Sequence, residues 1–207
     1  MNNPNDYSMK ALLIVDLQND FLPGGSLAVQ GAESIIPIIN GLQEEFEIVI
    51  ASKDWHPVGH VSFASTHKKK VGEKIVVSSG EQILWPDHCV QYSKGSDFPS
   101  SLRTEKISHI VYKGSDLAVD SYSAFFDQNR AHSTDLYEYL RIHKIDHLYV
   151  VGLATEYCVR ATVMDALTLG FKVTVIEKGC MGLDPTTAKE ALSDMQKGSA
   201  TIVDIVD

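Results

Sequence analysis

Six short runs rich in valine, isoleucine and leucine recur along the chain, at Lys10–Asp16, Glu47–Ser52, Ile107–Lys113, Leu148–Val151, Phe171–Glu177 and Thr201–Ile205. Their length and apolar, β-branched character predict buried strands. Between them the apolar positions change to helical spacing. Glu33–Phe46 reads as an amphipathic helix with Pro37 in its first turn, and Asp135–His143 as a second. A third runs from Thr155, a candidate N-cap, to a stop at Gly170, with Val159, Val163, Ala166 and Leu167 on one face. The last is Thr186–Lys197, introduced by Asp184-Pro185 with Asp184 as cap. Alternating strands and helices predict an α/β fold with a mainly parallel sheet covered on both faces. From Lys53 to Ser100 both periodicities lapse, and a loop region this long inside a compact domain is usually functional.

The length of 207 residues suits one domain, taken as residues 10–207 behind a polar, flexible tail at residues 1–9. That tail is too polar for a signal peptide, and no apolar stretch is long enough to span a bilayer. A formal net charge of −9 argues against a nucleic-acid or anionic-membrane surface, and the Lys68–Lys70 run is too short to alter this. The expected partner is therefore a small molecule, with homo-oligomerisation left open. Cys89, Cys158 and Cys180 are odd in number and lack a framework spacing, which points to a reducing cytoplasm.

Chemistry-bearing side chains gather where strands end. Asp16, Asp54 and Lys113 stand at or just beyond the carboxyl ends of three strands, and Cys158 falls in the first turn of the helix after another. In an open parallel sheet that edge is the ligand crevice. A thiol attacks as its thiolate, which a helix N-terminus favours, and the same N–H groups can hold an oxyanion. A carboxylate can take the thiol proton and return it to a leaving amine, and a lysine steadies both anions. The plain alternative is an Asp–Lys ion pair beside an inert, buried cysteine. A second set lies in the long loop, where Asp54, His56, His60 and His88 offer mixed N and O donors. Asp-x-His can point two ligands the same way, and a third from Trp85–Cys89 (WPDHC) would complete a site for zinc, manganese or iron(II). Loops that merely happen to be His-rich are the alternative. Phe21 and Trp85 could sandwich a flat ring, though packing is the commoner role of aromatics. Asn19 and Ser123 are candidate supporting hydrogen bonders.

Taken together, VDLQNDF (Val15–Phe21), DWHP (Asp54–Pro57), WPDHC, KG (Lys113, Gly114), DSYSAFFD (Asp120–Asp127) and GLATEYCV (Gly152–Val159) resemble the nicotinamidases, which are isochorismatase-like hydrolases. The resemblance runs from the first strand to the last in the same motif order. It implies a three-layer α/β/α fold and conversion of nicotinamide to nicotinate and ammonia through a cysteine thioester, in NAD salvage. It also implies Cys158 as nucleophile, Asp16 as general base and acid, and Lys113 as their electrostatic partner. Asp54, His56 and His88 would hold one divalent ion, zinc in the first place with iron or manganese as alternatives, and His60 stays open. Phe21 and Trp85 would flank the pyridine ring. The N–H groups of Ala154 and Cys158 would form the oxyanion hole, commonly with a cis peptide before Ala154. Glu156 departs from the Asp of many relatives. The rival readings are a related amidohydrolase of another small amide and a non-catalytic metal-binding protein on the same fold.

Overall fold

The computed structural model describes residues 9–205. Most of the expected tail therefore lies outside the described residues. Its last member, Met9, instead opens the first strand by pairing with Ile145.

In chain order the elements are β1 (Met9–Val15), α1 (Ile35–Leu42), β2 (Ile48–Asp54), β3 (Lys74–Val77), β4 (Gly80–Ile83), β5 (Ile107–Lys113), α2 (Leu136–Ile142), β6 (Ile145–Leu153), α3 (Arg160–Thr168), β7 (Lys172–Met181), α4 (Pro185–Lys197) and β8 (Thr201–Val203). Six strands form one sheet in the order β5-β2-β1-β6-β7-β8, every pair parallel. Strand β1 shows why its sequence reads as an unbroken apolar run. Ala11, Leu13 and Val15 face one core while Leu12 and Ile14 face the other, and all five are fully buried. Ile35, Ile36, Ile39 and Leu42 of α1 pack on the Leu12 face, whereas α2, α3 and Met195 of α4 cover the opposite face. The result is the three-layer α/β/α sandwich the pattern implies. The strand order reverses direction at β1, between β2 and β6, so the crevice beyond their carboxyl ends is where such a sheet binds its ligand.

Four local departures have physical causes. The helix expected over 33–46 is α-helical only from Ile35 to Leu42, with a 3-10 turn at each end, and Pro37 falls in its first turn where no N–H is needed. The long loop contains the β3–β4 antiparallel hairpin. With Val76 88% exposed, the hairpin buries no continuous apolar face and so leaves no alternating signature. Strand β6 does not stop at Val151 but continues through Gly152 to Leu153. There φ is +121° and a Cβ would lie 2.1 Å from the Val15 carbonyl oxygen, so only glycine permits β6 to pass β1. Finally, Thr155 is not the cap: extended Ala154 takes that position without a side-chain cap hydrogen bond, and the Leu153–Ala154 peptide is cis, as the resemblance implies. Asp184 does cap α4: one carboxylate oxygen accepts the N–H groups of Thr186 and Thr187, both at 2.9 Å.

Candidate active site

The strand ends bring Asp16, Lys113 and Cys158 together. Asp16 follows β1 in a left-handed conformation (φ 49°), which turns its carboxylate out of the sheet while its N–H donates to the Ser52 carbonyl. Ser52 Oγ donates to Asp16 Oδ1 at 2.6 Å. Lys113, the last residue of β5, is 1% exposed and donates to Asp54 Oδ1, to the Ser121 carbonyl (3.1 Å) and to Cys158 Sγ (3.3 Å). Asp16 Oδ2 lies 2.9 Å from the same ammonium, yet it accepts no well-aligned hydrogen bond. The Asp16 carboxylate and the thiol sit in one cluster, with one atom each of Asp16, Asp54 and Cys158 within 4.8 Å of one another. Cys158 belongs to a single π-helical turn, Thr155–Val159, that leads into α3.

Two buried carboxylates thus share one buried ammonium, and their proton affinities separate. Burial favours the neutral acid at Asp54, but Lys113 and His56 override it and hold this carboxyl below the usual range. At Asp16 burial prevails over the attraction of Lys113, and the Asp54 charge adds to it, raising the pKa to about 6. Burial pulls the Lys113 pKa down, but the two carboxylates outweigh it and hold the ammonium well above the usual lysine range. Burial pushes the Cys158 thiol up despite Lys113, and the carboxylates push it further. The sequence favoured a thiolate at this helix start. Burial and the two carboxylates oppose that thiolate, and the sulfur lies beside a carboxylate more basic than an ordinary aspartate, an arrangement that suits proton transfer during attack.

Asp54, His56 and His88 converge from the end of β2 and from two loops. His56 Nδ1 donates to the Gly114 carbonyl and His88 Nδ1 to the Pro86 carbonyl, both at 2.8 Å. Each ring is thereby fixed with its Nε2 lone pair free, and these nitrogens lie 3.8 and 3.7 Å from Asp54 Oδ2. Those spacings are long for hydrogen bonds but close to the edge of a coordination polyhedron with ligand bonds of about 2.0–2.2 Å. The donor set fits a divalent ion, and second partners on both imidazoles are the usual support of metal-ligating histidines. His60 stacks on His56 with ring centres 4.1 Å apart. Its own nitrogens are engaged, Nδ1 with Ser62 Oγ (2.8 Å) and Nε2 with the Val119 carbonyl (3.4 Å).

Phe21, Trp85 and Ala154 line the same cavity as Cys158, Asp54, His56 and His88. Trp85 Nε1 donates to the Tyr122 hydroxyl (3.1 Å), and Tyr157 meets the Trp85 ring edge-on at 5.1 Å. Asn19 bonds the Lys94 carbonyl and Ser123 Oγ accepts the Phe125 N–H, so both stabilise loops outside the cluster.

Sequence reasoning missed several contributors. Gln18 and Asp20 clamp backbone far along the chain, Asp120 comes within 4.8 Å of His56 and His60, and Tyr122 orients Trp85. Gly114 was noticed only as half of a motif. Its φ is +64°, and a Cβ there would lie 2.4 Å from His56 Cε1. Gly72 has a similar φ of +85° with open space around it, so it isolates the conformational cost from the clash. Gly114→Ala is expected to cost about 1–3 kcal/mol more than Gly72→Ala in denaturant unfolding, the scale of core overpacking. Equal losses would show that His56 does not need the glycine.

An α/β sandwich with a cysteine, a carboxylate and a lysine at its switch point, beside a three-donor cluster, defines a class of hydrolase. The chain belongs to the isochorismatase family, matching the Isochorismatase domain over residues 10–207. It is 46% identical to the nicotinamidase of Escherichia coli, with 96% of each chain covered. The solved Acinetobacter baumanii nicotinamidase/pyrazinamidase superposes with a TM-score of 0.92 at 42% identity, covering 96% of this chain and 97% of that one. The pyrazinamidase of Pyrococcus horikoshii, solved in complex with zinc, gives 0.79 at 35% identity, with 94% and 98% covered.

Proposed function

We infer that this chain hydrolyses nicotinamide to nicotinate and ammonia, a step of NAD salvage, with pyrazinamide as a second amide of the same shape. What carries the reading is one cavity lined by Cys158, by the Asp54–His56–His88 cluster, and by Phe21 and Trp85. A divalent ion in that cluster, zinc by analogy with the Pyrococcus enzyme, would act as a Lewis acid that grips the pyridine nitrogen. The ring then lies between Phe21 and Trp85 with its carboxamide towards Cys158. Asp16 takes the thiol proton as sulfur attacks the carboxamide carbon, and Lys113 balances the negative charge that develops. The N–H groups of Ala154 and Cys158 hold the oxyanion. Collapse returns the proton from Asp16 to the leaving nitrogen, releasing ammonia and leaving a thioester. Asp16 then deprotonates water, which cleaves the thioester to nicotinate, and the proton goes back to the departing sulfur. Three free cysteines suit a reducing, cytoplasmic setting, and no helix among the described residues is long and apolar enough to cross a membrane.

The test separates gripping the ring from making the nucleophile. Lys113 and Asp16 already serve the thiol, so no metal-bound hydroxide is required. Stripping the metal, or His56→Ala, is expected to slow ammonia release from nicotinamide roughly 10- to 150-fold, the scale of a lost contact to a charged centre. Benzamide lacks the ring nitrogen, so it should be a poor substrate of the loaded enzyme and lose little more on stripping. Equal proportional losses for both amides, in protein that remains folded, would move the metal into the chemical step. No ammonia from nicotinamide under any metal condition would remove the proposed activity itself.

A further inference from the structure

The short segment after Asp16 is stitched to the metal-ligand loops through side chains that have no role in the chemistry above. Gln18 is fully buried although polar. Its amide closes a two-way clamp on the backbone of Asp54: Oε1 accepts the Asp54 N–H and Nε2 donates to the Asp54 carbonyl, both at 2.8 Å. The same Nε2 donates to the Ser96 carbonyl at 3.0 Å. Two residues on, Asp20 Oδ2 accepts the N–H of Cys89 at 2.7 Å. Cys89 is the neighbour of His88 and adopts a left-handed φ of 46°, a conformation that non-glycine residues keep only when held. The Asp20 carboxylate packs so closely on Gly95 that a Cβ there would lie 2.0 Å from Oδ2. One segment therefore reaches two ligand-bearing stretches that are 36 and 69 residues away in sequence.

We propose that Gln18 and Asp20 are positioning residues for the metal site, fixing the backbone beneath Asp54 and beside His88, so that the segment following the general base also assembles the ion cradle. The proposal rests on the reading of Asp54, His56 and His88 as ligands. Neither residue touches the ion or the substrate. A coordination site tolerates little displacement of its donors, and loss of a residue that orients a ligand typically weakens metal binding 10- to 100-fold. Gln18→Glu keeps an acceptor for the Asp54 N–H but sets a second oxygen against two carbonyls. Asp20→Ala removes the acceptor for the Cys89 N–H, whereas Asp20→Asn keeps an oxygen there.

The test uses the full chain stripped of metal and titrated with zinc in competition with a chromogenic chelator. Unfolding of the metal-free protein and iodoacetamide labelling of Cys158 are followed in parallel. Gln18→Glu and Asp20→Ala should each raise the zinc dissociation constant roughly 10- to 100-fold, with Asp20→Asn close to the parent. Labelling of Cys158 should change little, and the metal-free unfolding midpoint should fall in Gln18→Glu, which buries a carboxylate against two carbonyls, and much less in Asp20→Ala. Unchanged zinc affinity in both Gln18→Glu and Asp20→Ala, with His56→Ala abolishing uptake, would overturn the proposal and leave the ligand assignment standing. A zinc affinity that falls only in step with metal-free stability, equally in Asp20→Asn and Asp20→Ala, would also overturn it, as a merely structural role. If the parent takes up no zinc, or His56→Ala binds it equally well, the ligand assignment falls and this proposal with it.

Discussion

Cys158→Ala is expected to abolish ammonia release from nicotinamide while leaving the fold and the metal affinity in place. Among the described residues, the thiol is the sulfur set 3.3 Å from the Lys113 ammonium and in the Asp16 cluster. Neither other cysteine can replace it. Cys180 meets the Val150 carbonyl at 4.0 Å and burial pushes its pKa to about 12, while Cys89 is fully buried and burial raises its pKa as well. Removing the nucleophile of an acyl-enzyme mechanism costs on the order of a millionfold, and what remains comes from binding and oxyanion stabilisation. Initial rates on nicotinamide read the loss. Intact-mass analysis of a quenched parent reaction should catch a nicotinoyl adduct that Cys158→Ala lacks. Activity within tenfold of the parent in Cys158→Ala would end the covalent mechanism. Since Cys158 is 7% exposed and packed against the core, alanine leaves a small void but no unpaired charge, and the protein should still fold.

The sheet was legible because its central strands are buried on both sides. Residues such as Leu12 and Leu13 are apolar in succession, and the helices between them have one apolar face each. Groups at strand ends were legible for the same reason, since Asp16 and Lys113 interrupt apolar runs where the chain leaves the sheet. The convergence of Asp54, His56 and His88 was legible as far as local spacing reached, through Asp54-x-His56 and the His of WPDHC. What stayed hidden acts at a distance or through the backbone. Gln18 looks like any loop glutamine until Asp54, 36 residues on, is folded against it. Gly114 looks like a turn residue until the His56 ring lies on its Cα. Thr155 looked like a cap because a hydroxyl side chain stands just before the helical pattern, but extended Ala154 holds that place. The hairpin β3–β4 escaped because exposed strands carry no burial period, apart from the buried Gln82 whose amide reaches Asp120 at 2.9 Å. The protonation state of the thiol also depended on the fold, because the carboxylates and burial that oppose the thiolate assemble only in three dimensions.

Asp16→Asn and Lys113→Met should each reduce turnover of nicotinamide by at least about 100-fold, the lower end of what positioned acid–base catalysis contributes. The two losses should not multiply. In the proposed mechanism Asp16 can serve as the base because Lys113 moderates the effect of its burial, and Asp16 and Asp54 in turn favour the charged form of Lys113. With Asp16 neutralised, the thiol has no acceptor for its proton and the ammonium is left paired with Asp54 alone. With Lys113 removed, Asp16 and Asp54 lose the charge that separates them, and burial drives Asp16 towards its protonated, non-basic form. Either change therefore disables the same proton transfer. The double variant should be scarcely slower than the more damaged single one, as found for groups that act as a unit. Rates of iodoacetamide labelling at Cys158 give a second readout without substrate, and they should not fall in Asp16→Asn, because the Asp16 charge opposes the thiolate that iodoacetamide alkylates, so a loss of turnover there reports the missing proton acceptor. The unfolding curves of the variants distinguish this from collapse, since Lys113→Met leaves two buried carboxylates facing each other and should destabilise more than Asp16→Asn. Losses that multiply in the double variant, with all proteins folded, would mean that Asp16 and Lys113 serve separate steps. The shared ammonium between the carboxylates would then be a structural ion pair next to the chemistry, and Asp54 its main partner.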